Sequence, residues 1–351
     1  MLKNPLPYLS QTVRSLPINL FVWALLLFYL SPVFFMIVTA LKPTAQLNDR
    51  NAPFYPAAPE AFEYQDREYH IYFVPGEGGL RRWAMIRPGR EMTEFIDPLD
   101  PEAGLITWEG NWRALQKVYR FHIEWSNFTG LLESLLFPRM FLNTFLLTSI
   151  GWIAVLASSI VVAYGFSRFP LPGGNVLFYV LIATILIPEK VTFIPSYFVY
   201  VNALHWGGTF LPILVPLFFG NAVYIFLLRQ NFRSLPVELE EAAMLDGAGP
   251  LQRLFYVVLP QSWPVVITVS LLFIFYSWNE IRQVSLYAAS NMDLIPLSYG
   301  VQNFQAFTPI QNLVSASTLL VLAFPVTLLF LFQRFFMQGL VITGAEKHSS
   351  L

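Results

Sequence analysis

The side chains able to do chemistry fall into two sets. One is a carboxylate pair, Glu240-Glu241, inside a polar interlude from Asn231 to Ser262 whose core reads Glu240-Glu241-Ala242-Ala243-Met244-Leu245-Asp246-Gly247-Ala248-Gly249. The other is a scatter of polar groups within apolar runs: Asn143, Asn221, Asn279, Glu280, Gln283 and the adjacent Glu189 and Lys190, with Tyr276 and Trp278 as flanking ring surfaces. Neither set has a recognisable catalytic spacing. The chain has no cysteines, and its four histidines, His70, His122, His205 and His348, form no ligand pair at helical spacing, so neither thiolate chemistry nor a metal site is expected. No G-x-x-x-x-G-K-[ST] phosphate cradle occurs, so no ATPase site is expected either. What remains is contact and passage. Ionisable groups inside apolar spans are costly and mark solute paths by default. Hydrogen bonding between helices is the competing role, above all for Asn143 and Asn221, and Trp278 and Tyr276 are also residue types that populate membrane interfaces without a ligand.

The elements that must position these groups are membrane helices. Of 351 residues, 55% are hydrophobic and 12% charged, too apolar for an ordinary soluble domain. The formal net charge of −1 leaves no footprint for nucleic acid. Apolar runs of spanning length fall at about 18–41, 141–166, 176–199, 209–228, 264–285 and 312–333, which predicts six transmembrane helices. The first lacks a small-residue cleavage site and reads as a retained span, not a signal peptide. Short loops carry their basic residues on one side: Lys3 and Arg14, Arg168, then Arg229, Arg233 and Arg253, then Arg334 and Lys347, whereas 201–208 and 286–310 carry none. Basic loops face the cytoplasm, so both termini and the Glu241 loop are expected there.

Between the first two spans lies an insert of different character, residues 43–138. From 49 to 137 it holds fourteen of the 22 acidic and nine of the 21 basic residues, a net of about −5. Short alternating runs at Glu68–Val74, Arg81–Ile86, Met92–Ile96 and Gly104–Trp108, separated by Gly and Pro turns, predict a small β-rich extracytoplasmic domain, with a helix around Trp112–Tyr119. The domain order is therefore a tail and first helix at 1–42, the insert at 43–138, helices two to six at 139–335 including the loop 231–262, and a cytoplasmic tail at 336–351. The insert either packs on the membrane part or docks an external protein.

The interlude itself reads as a compact helix-turn-helix. Ser234 and Pro236 precede Glu238, Glu240 and Glu241, which places carboxylates where the helix dipole favours them. Gly247 and Gly249 stop that helix, and a second apolar segment from Leu251, bearing Arg253, ends at Leu259-Pro260. Glu241-Ala242-Ala243, three residues, Gly247, nine residues, Val257, one residue, then Leu259-Pro260 resembles the EAA loop of ABC importer permeases, with Val257 where that family usually has Ile. Other stretches resemble the carbohydrate branch, specifically the second permease subunit of maltose importers. These are Pro32–Lys42, Trp125-Ser126-Asn127-Phe128, Phe141-Leu142-Asn143-Thr144, Ala163-Tyr164-Gly165-Phe166-Ser167-Arg168, Ile187-Pro188 with Ile194-Pro195, Trp278-Asn279-Glu280, and Phe332-Gln333-Arg334 to Gly339. The long first outer loop departs from most relatives.

The resemblance implies a prokaryotic inner-membrane subunit that passes a sugar or oligosaccharide by alternating access. It implies a second homologous permease, as a heterodimer, two ATPase subunits that bind the ATP, and an extracytoplasmic solute-binding protein. Glu241 would pair with a basic group of the ATPase, Ala242 and Ala243 would allow close approach, and Gly247 would permit the reversal of direction. Leu259 and Pro260 would end the segment and aim the fifth span. Asp246 belongs to the same ATPase-coupling loop or, by its residue type, instead caps the second short helix. A peptide or amino-acid permease, or a secondary transporter, is the alternative; the latter would typically show an inverted repeat and mid-membrane coupling carboxylates.

Overall fold

The computed structural model describes residues 6–76, 79–133, 136–307 and 310–341. It divides into two compact units, one of residues 1–131 with 308–319, the other of 132–307 with 320–351.

The first unit starts with the helix Leu6–Ala40, whose stretch Pro17–Ala40 is long and apolar enough to cross a membrane. Phe21, Trp23, Phe28 and Tyr29 stand exposed along it, as suits a surface facing lipid. The sheet that follows is an antiparallel meander of Ala61–Tyr64, Arg67–Gly76, Gly79–Arg87, Met92–Ile96 and Ile106–Glu109, with Gln116–Lys117 added against Arg67–Gly76. A separate pair joins Ala57–Pro59 to Tyr119–Phe121. Side chains alternate across a strand, so Ile71 packs with Ala84, Ile96 and Val118 on one face, while Tyr72 and Val74 pack with Phe95 on the other. All four expected strands are present. The helix expected at Trp112–Tyr119 is not: only a single 3-10 turn, Trp112–Ala114, forms, after which the chain turns extended. Val118 fills the sheet core and its N–H donates to the Ile71 carbonyl at 2.8 Å, so pairing with the long strand overrides local helix preference.

A polar knot closes this unit. Asn127 is buried and its amide donates to the carbonyls of Ala40 (2.8 Å) and Lys42 (3.0 Å). Asn312, also buried, donates to the Lys42 carbonyl at 3.0 Å and to Asn127 Oδ1 at 3.1 Å. Carbonyls freed at the end of the first helix thus find partners without water.

In the second unit, Leu136–Arg168 and Leu211–Ser234 are long and apolar enough to span; with Pro17–Ala40 and Gln311–Phe335 the described residues contain four such helices. Two bent pairs bring the number to six if each is one span: Gly174–Ile185 with Lys190–Ala203, bent by 95°, and Pro250–Gln261 with Trp263–Trp278, bent by 85°. The run expected as one span over 176–199 is therefore broken, at Pro188, which lacks an amide donor and disfavours helix in the residue before it. The span expected to continue to 285 stops at Trp278, and Arg282–Tyr287 is a separate short helix. The core is built by Val155, Leu228, Phe232, Leu254, Val258, Val269 and Phe273. Gly151 lets Leu217 and Phe273 approach closely within it, because a Cβ there would stand 2.9 Å from side-chain atoms of both and make them shift. Of the tail expected at 336–351, residues to Val341 continue the last helix and the rest lie outside the described residues.

Candidate functional site

Adjacent residues on an α-helix point about 100° apart, and the two carboxylates of the interlude go to different environments. On the helix Glu238–Leu245, Glu240 is 4% exposed whereas Glu241 is exposed. Glu240 Oε1 accepts from Arg168 Nε at 2.5 Å and its Oε2 from the Tyr164 hydroxyl at 2.9 Å. The same guanidinium donates from its other arm to the Leu235 carbonyl at 3.1 Å. Tyr164 and Arg168 are one turn apart at the end of Leu136–Arg168, so this helix grips the start of the short helix at two points. Arg229 ties the preceding helix, Ala222–Ser234, to the same end of Leu136–Arg168, donating to the Phe166 carbonyl at 3.2 Å with its guanidinium 3.8 Å above the Phe178 ring.

With Glu240 committed inward, the outward surface carries Glu241 and Ala242 together with apolar groups. Leu245 is 88% exposed and Tyr256 79%, joined by Met244, Leu251 and Phe255. Ala243 is half-buried. Gly247 takes φ +85° directly after the helix, a conformation cheap only without a Cβ, and nothing lies within 4 Å of where one would sit. Two expectations are corrected here. Asp246 closes the first helix and does not cap the second, which starts at Gly249, whose N–H donates to Gln252 Oε1 at 2.7 Å. Leu259 and Pro260 do not end the second segment: it runs helically through Gln261, with a π-helical turn at Leu254–Val258 just before Pro260, and breaks at Ser262. A widened turn accommodates a proline that has no N–H to donate.

The polar groups expected along a path separate into those spent on structure and those on cavity walls. Asn143 is buried and donates to the carbonyls of Asp293 (2.8 Å) and Ile295 (3.0 Å). Asn221 caps the helix Ala222–Ser234, accepting from the Val223 N–H at 3.0 Å. Trp278 is 1% exposed, stacks on Phe324 at 4.2 Å and donates from Nε1 to the Val321 carbonyl at 3.0 Å. Asn279 is exposed and donates back to the Phe275 carbonyl at 2.9 Å. Tyr276 and Glu280 line a small cavity of about 50 Å³, where Glu280 Oε1 also accepts from the Gln283 N–H at 2.9 Å. Gln283 is shared with a larger cavity of about 350 Å³, whose wall includes Lys190. The Glu189 side chain lies outside the described residues.

Residues 154–341, more than half of the chain, match the family described as binding-protein-dependent transport system inner membrane component. The chain belongs to this family. The permease is 26% identical to the osmoprotective compounds uptake permease protein GgtD of Synechocystis sp. over 258 residues, covering 72% of this chain and 85% of the relative. It is 31% identical to the sn-glycerol-3-phosphate transport system permease protein UgpE of Escherichia coli over 226 residues, covering 63% of this chain and 78% of the relative. Its fold is similar to that of a chain in a bacterial ABC transporter involved in the import of the acidic polysaccharide alginate. There the TM-score is 0.64 at 19% identity, over 96% of this chain and 99% of the other. Coverage that high takes in most of the 43–138 insert, so the long insert is part of a shared fold. The protein is thus an inner-membrane permease of an ABC importer, a transport subunit by family.

Sequence reasoning singled out Glu241 and missed what Glu240 does. A signal was available: Tyr164 and Arg168, four apart at the end of an apolar helix, put a hydroxyl and a guanidinium on one face with no acid nearby in sequence. Asn127 and Asn312 were likewise unassigned as partners, since their meeting depends on tertiary contact across 185 positions.

Proposed function

We propose that this permease passes a sugar or other polyhydroxylated solute through the membrane by alternating access, driven by separate ATPase subunits seated on the Glu238–Leu245 helix. The observation that carries the reading is the division of labour between neighbouring carboxylates: Glu240 locks the short helix to Arg168 and Tyr164, while Glu241, Met244 and Leu245 face outward. A rigid lever with a free apolar and acidic face is what a partner needs in order to push on membrane helices. The solute class is supported by the relatives, one in sn-glycerol-3-phosphate transport and one in uptake of osmoprotective compounds.

In this reading the assembly contains a second, homologous permease as a heterodimer, two ATPases that bind ATP, and a solute-binding protein on the outer side. The 43–138 insert lies outside, both termini and the 231–262 loop lie in the cytoplasm, and 139–335 forms the path. Tyr276 and Glu280 are the path candidates that keep a cavity surface. The test is co-purification from detergent of the wild type and of Glu241→Lys, followed by ATPase assay. An ATPase that co-purifies with the wild type and is lost or uncoupled in the variant supports the reading; absence of any ATPase from both refutes it.

A further inference from the structure

We infer that the cavity between Lys190–Ala203, Leu211–Ser234 and Arg282–Tyr287 seats one ring of a neutral sugar, with the Tyr287 hydroxyl bonded to a solute hydroxyl and the Phe193 ring under the C–H side of the sugar. The inference rests on the importer reading above and narrows its solute to one that carries a sugar ring. The cavity, about 350 Å³, is at the lower end of the usual range for small-molecule sites. Tyr287 on its wall is only 6% exposed, and its hydroxyl makes no hydrogen bond with any described residue. A buried hydroxyl left without a partner is costly, and a phenol can both donate and accept. The Tyr287 ring is not free to turn towards a partner in the protein. It is stacked on Tyr197 at 6.4 Å and meets Tyr200 edge to face at 5.8 Å, while Tyr200 is stacked on Trp206, also at 5.8 Å. The hydroxyl is thus held in place before a solute arrives, which spares the cost of ordering it on binding.

The rest of the wall suits a ring and not an open-chain polyol. Phe193 is 37% exposed, and among the described residues no aromatic ring packs on it, which leaves its apolar surface to the cavity. A sugar ring turns several C–H groups to one side, and the electron-rich face of an aromatic ring attracts them. An open chain has no such flat side. Ser196 and Gln283 add donors and acceptors for further solute hydroxyls. Glu280 accepts from the Gln283 N–H and so keeps the start of the helix Arg282–Tyr287 in place. The two cations on the wall, Lys190 and Arg282, are exposed, and Arg282 is already partnered, so neither requires an anion in the cavity.

The experiment uses the complete transporter in cells, with labelled maltotriose and the open-chain polyol sorbitol as probes, and compares wild type with Tyr287→Phe, Phe193→Ala and the ring-retaining Phe193→Tyr. The expected result is uptake of maltotriose at least about tenfold above sorbitol, an apparent KM for maltotriose raised about fivefold in Tyr287→Phe and in Phe193→Ala, and a KM near that of wild type in Phe193→Tyr. The melting temperature of the purified Tyr287→Phe complex is expected to be no lower than that of wild type, because the hydroxyl has no partner in the protein to lose. A purely structural hydroxyl would give the reverse, a lower melting temperature with KM unchanged. Equal amounts of assembled complex on size-exclusion chromatography separate loss of binding from loss of folding in Phe193→Ala. An unchanged KM in Tyr287→Phe, a preference for sorbitol, or no uptake of maltotriose overturns the inference. If an ATPase co-purifies in those cases, the importer reading stands and only the sugar-ring site fails.

Discussion

Arg168 and Glu240, 72 positions apart, form an ion pair whose side chains are 11% and 5% exposed, and this pair joins the end of a membrane-spanning helix to the start of the short helix after it. Removing one partner leaves a buried charge uncompensated, which typically costs about 3–5 kcal/mol, whereas replacing both by apolar groups is close to neutral. Glu240→Ala and Arg168→Met are each expected to lower the melting temperature of the purified complex clearly, and Arg168→Met with Glu240→Leu to recover most of it. Additive losses in the double variant would show that the two residues do not act as a pair.

Gly247 is expected to tolerate substitution according to backbone preference alone. With φ at +85° and open space around the missing Cβ, a β-branched residue pays strain of roughly 1–3 kcal/mol, while asparagine pays less. Melting of Gly247→Val and Gly247→Asn complexes measures the difference; equal losses would point to a contact that the geometry does not contain.

Trp278 serves packing. Its ring lies on Phe324 and its Nε1 is bonded to the Val321 carbonyl, so Trp278→Ala is expected to cost about 3–5 kcal/mol. The apparent KM for solute in whatever complex survives is expected to stay near that of wild type. A large rise in KM with unchanged melting would place Trp278 on the path instead.

The insert should respond to acid through Asp49. Burial alone would raise its pKa, but the Asn51 N–H, the Tyr119 hydroxyl at 2.8 Å and the Lys117 ammonium at 3.6 Å outweigh that and hold it below the usual carboxylate range. A carboxyl whose folded pKa is depressed contributes stability that is fully present above the unfolded value and is lost as pH falls through the folded one. Hydrogen exchange of the strands at 67–87 in the full chain is expected to quicken below about pH 4. In Asp49→Asn that acid limb should flatten; an unchanged limb would assign it to other groups.

What was legible in the sequence was set by short-range pattern. Alternation marks Arg67–Gly76 and its neighbours as strands because each face meets its own small core, and apolar length marks four spans outright. The motif around Glu241 marks the short helix Glu238–Leu245 for the same reason: its spacing is local. Long-range pairing was not legible. The stretch Trp112–Tyr119 has helix-compatible residues but is claimed by strand pairing to Tyr72 and Phe73. Which of Glu240 and Glu241 turns inward depends on where Arg168 arrives, and nothing within a few residues of either carries that information. Asn143 and Trp278 looked like path residues because they are polar or aromatic inside apolar runs. Their partners, carbonyls about 150 and 43 positions away, give them other work.

The central claim is that the Glu238–Leu245 helix is where an ATPase docks, and site-directed cross-linking tests it most directly. The chain has no cysteine of its own, so Leu245→Cys and, as an outer-side control, Leu99→Cys each introduce a single exposed thiol. With a short thiol-to-amine cross-linker applied to membranes of cells carrying the complete transporter, Leu245→Cys is expected to yield an adduct with the ATPase subunit that Leu99→Cys does not. An ATPase adduct from Leu99→Cys, or none from Leu245→Cys while the ATPase remains in the complex, would contradict the account.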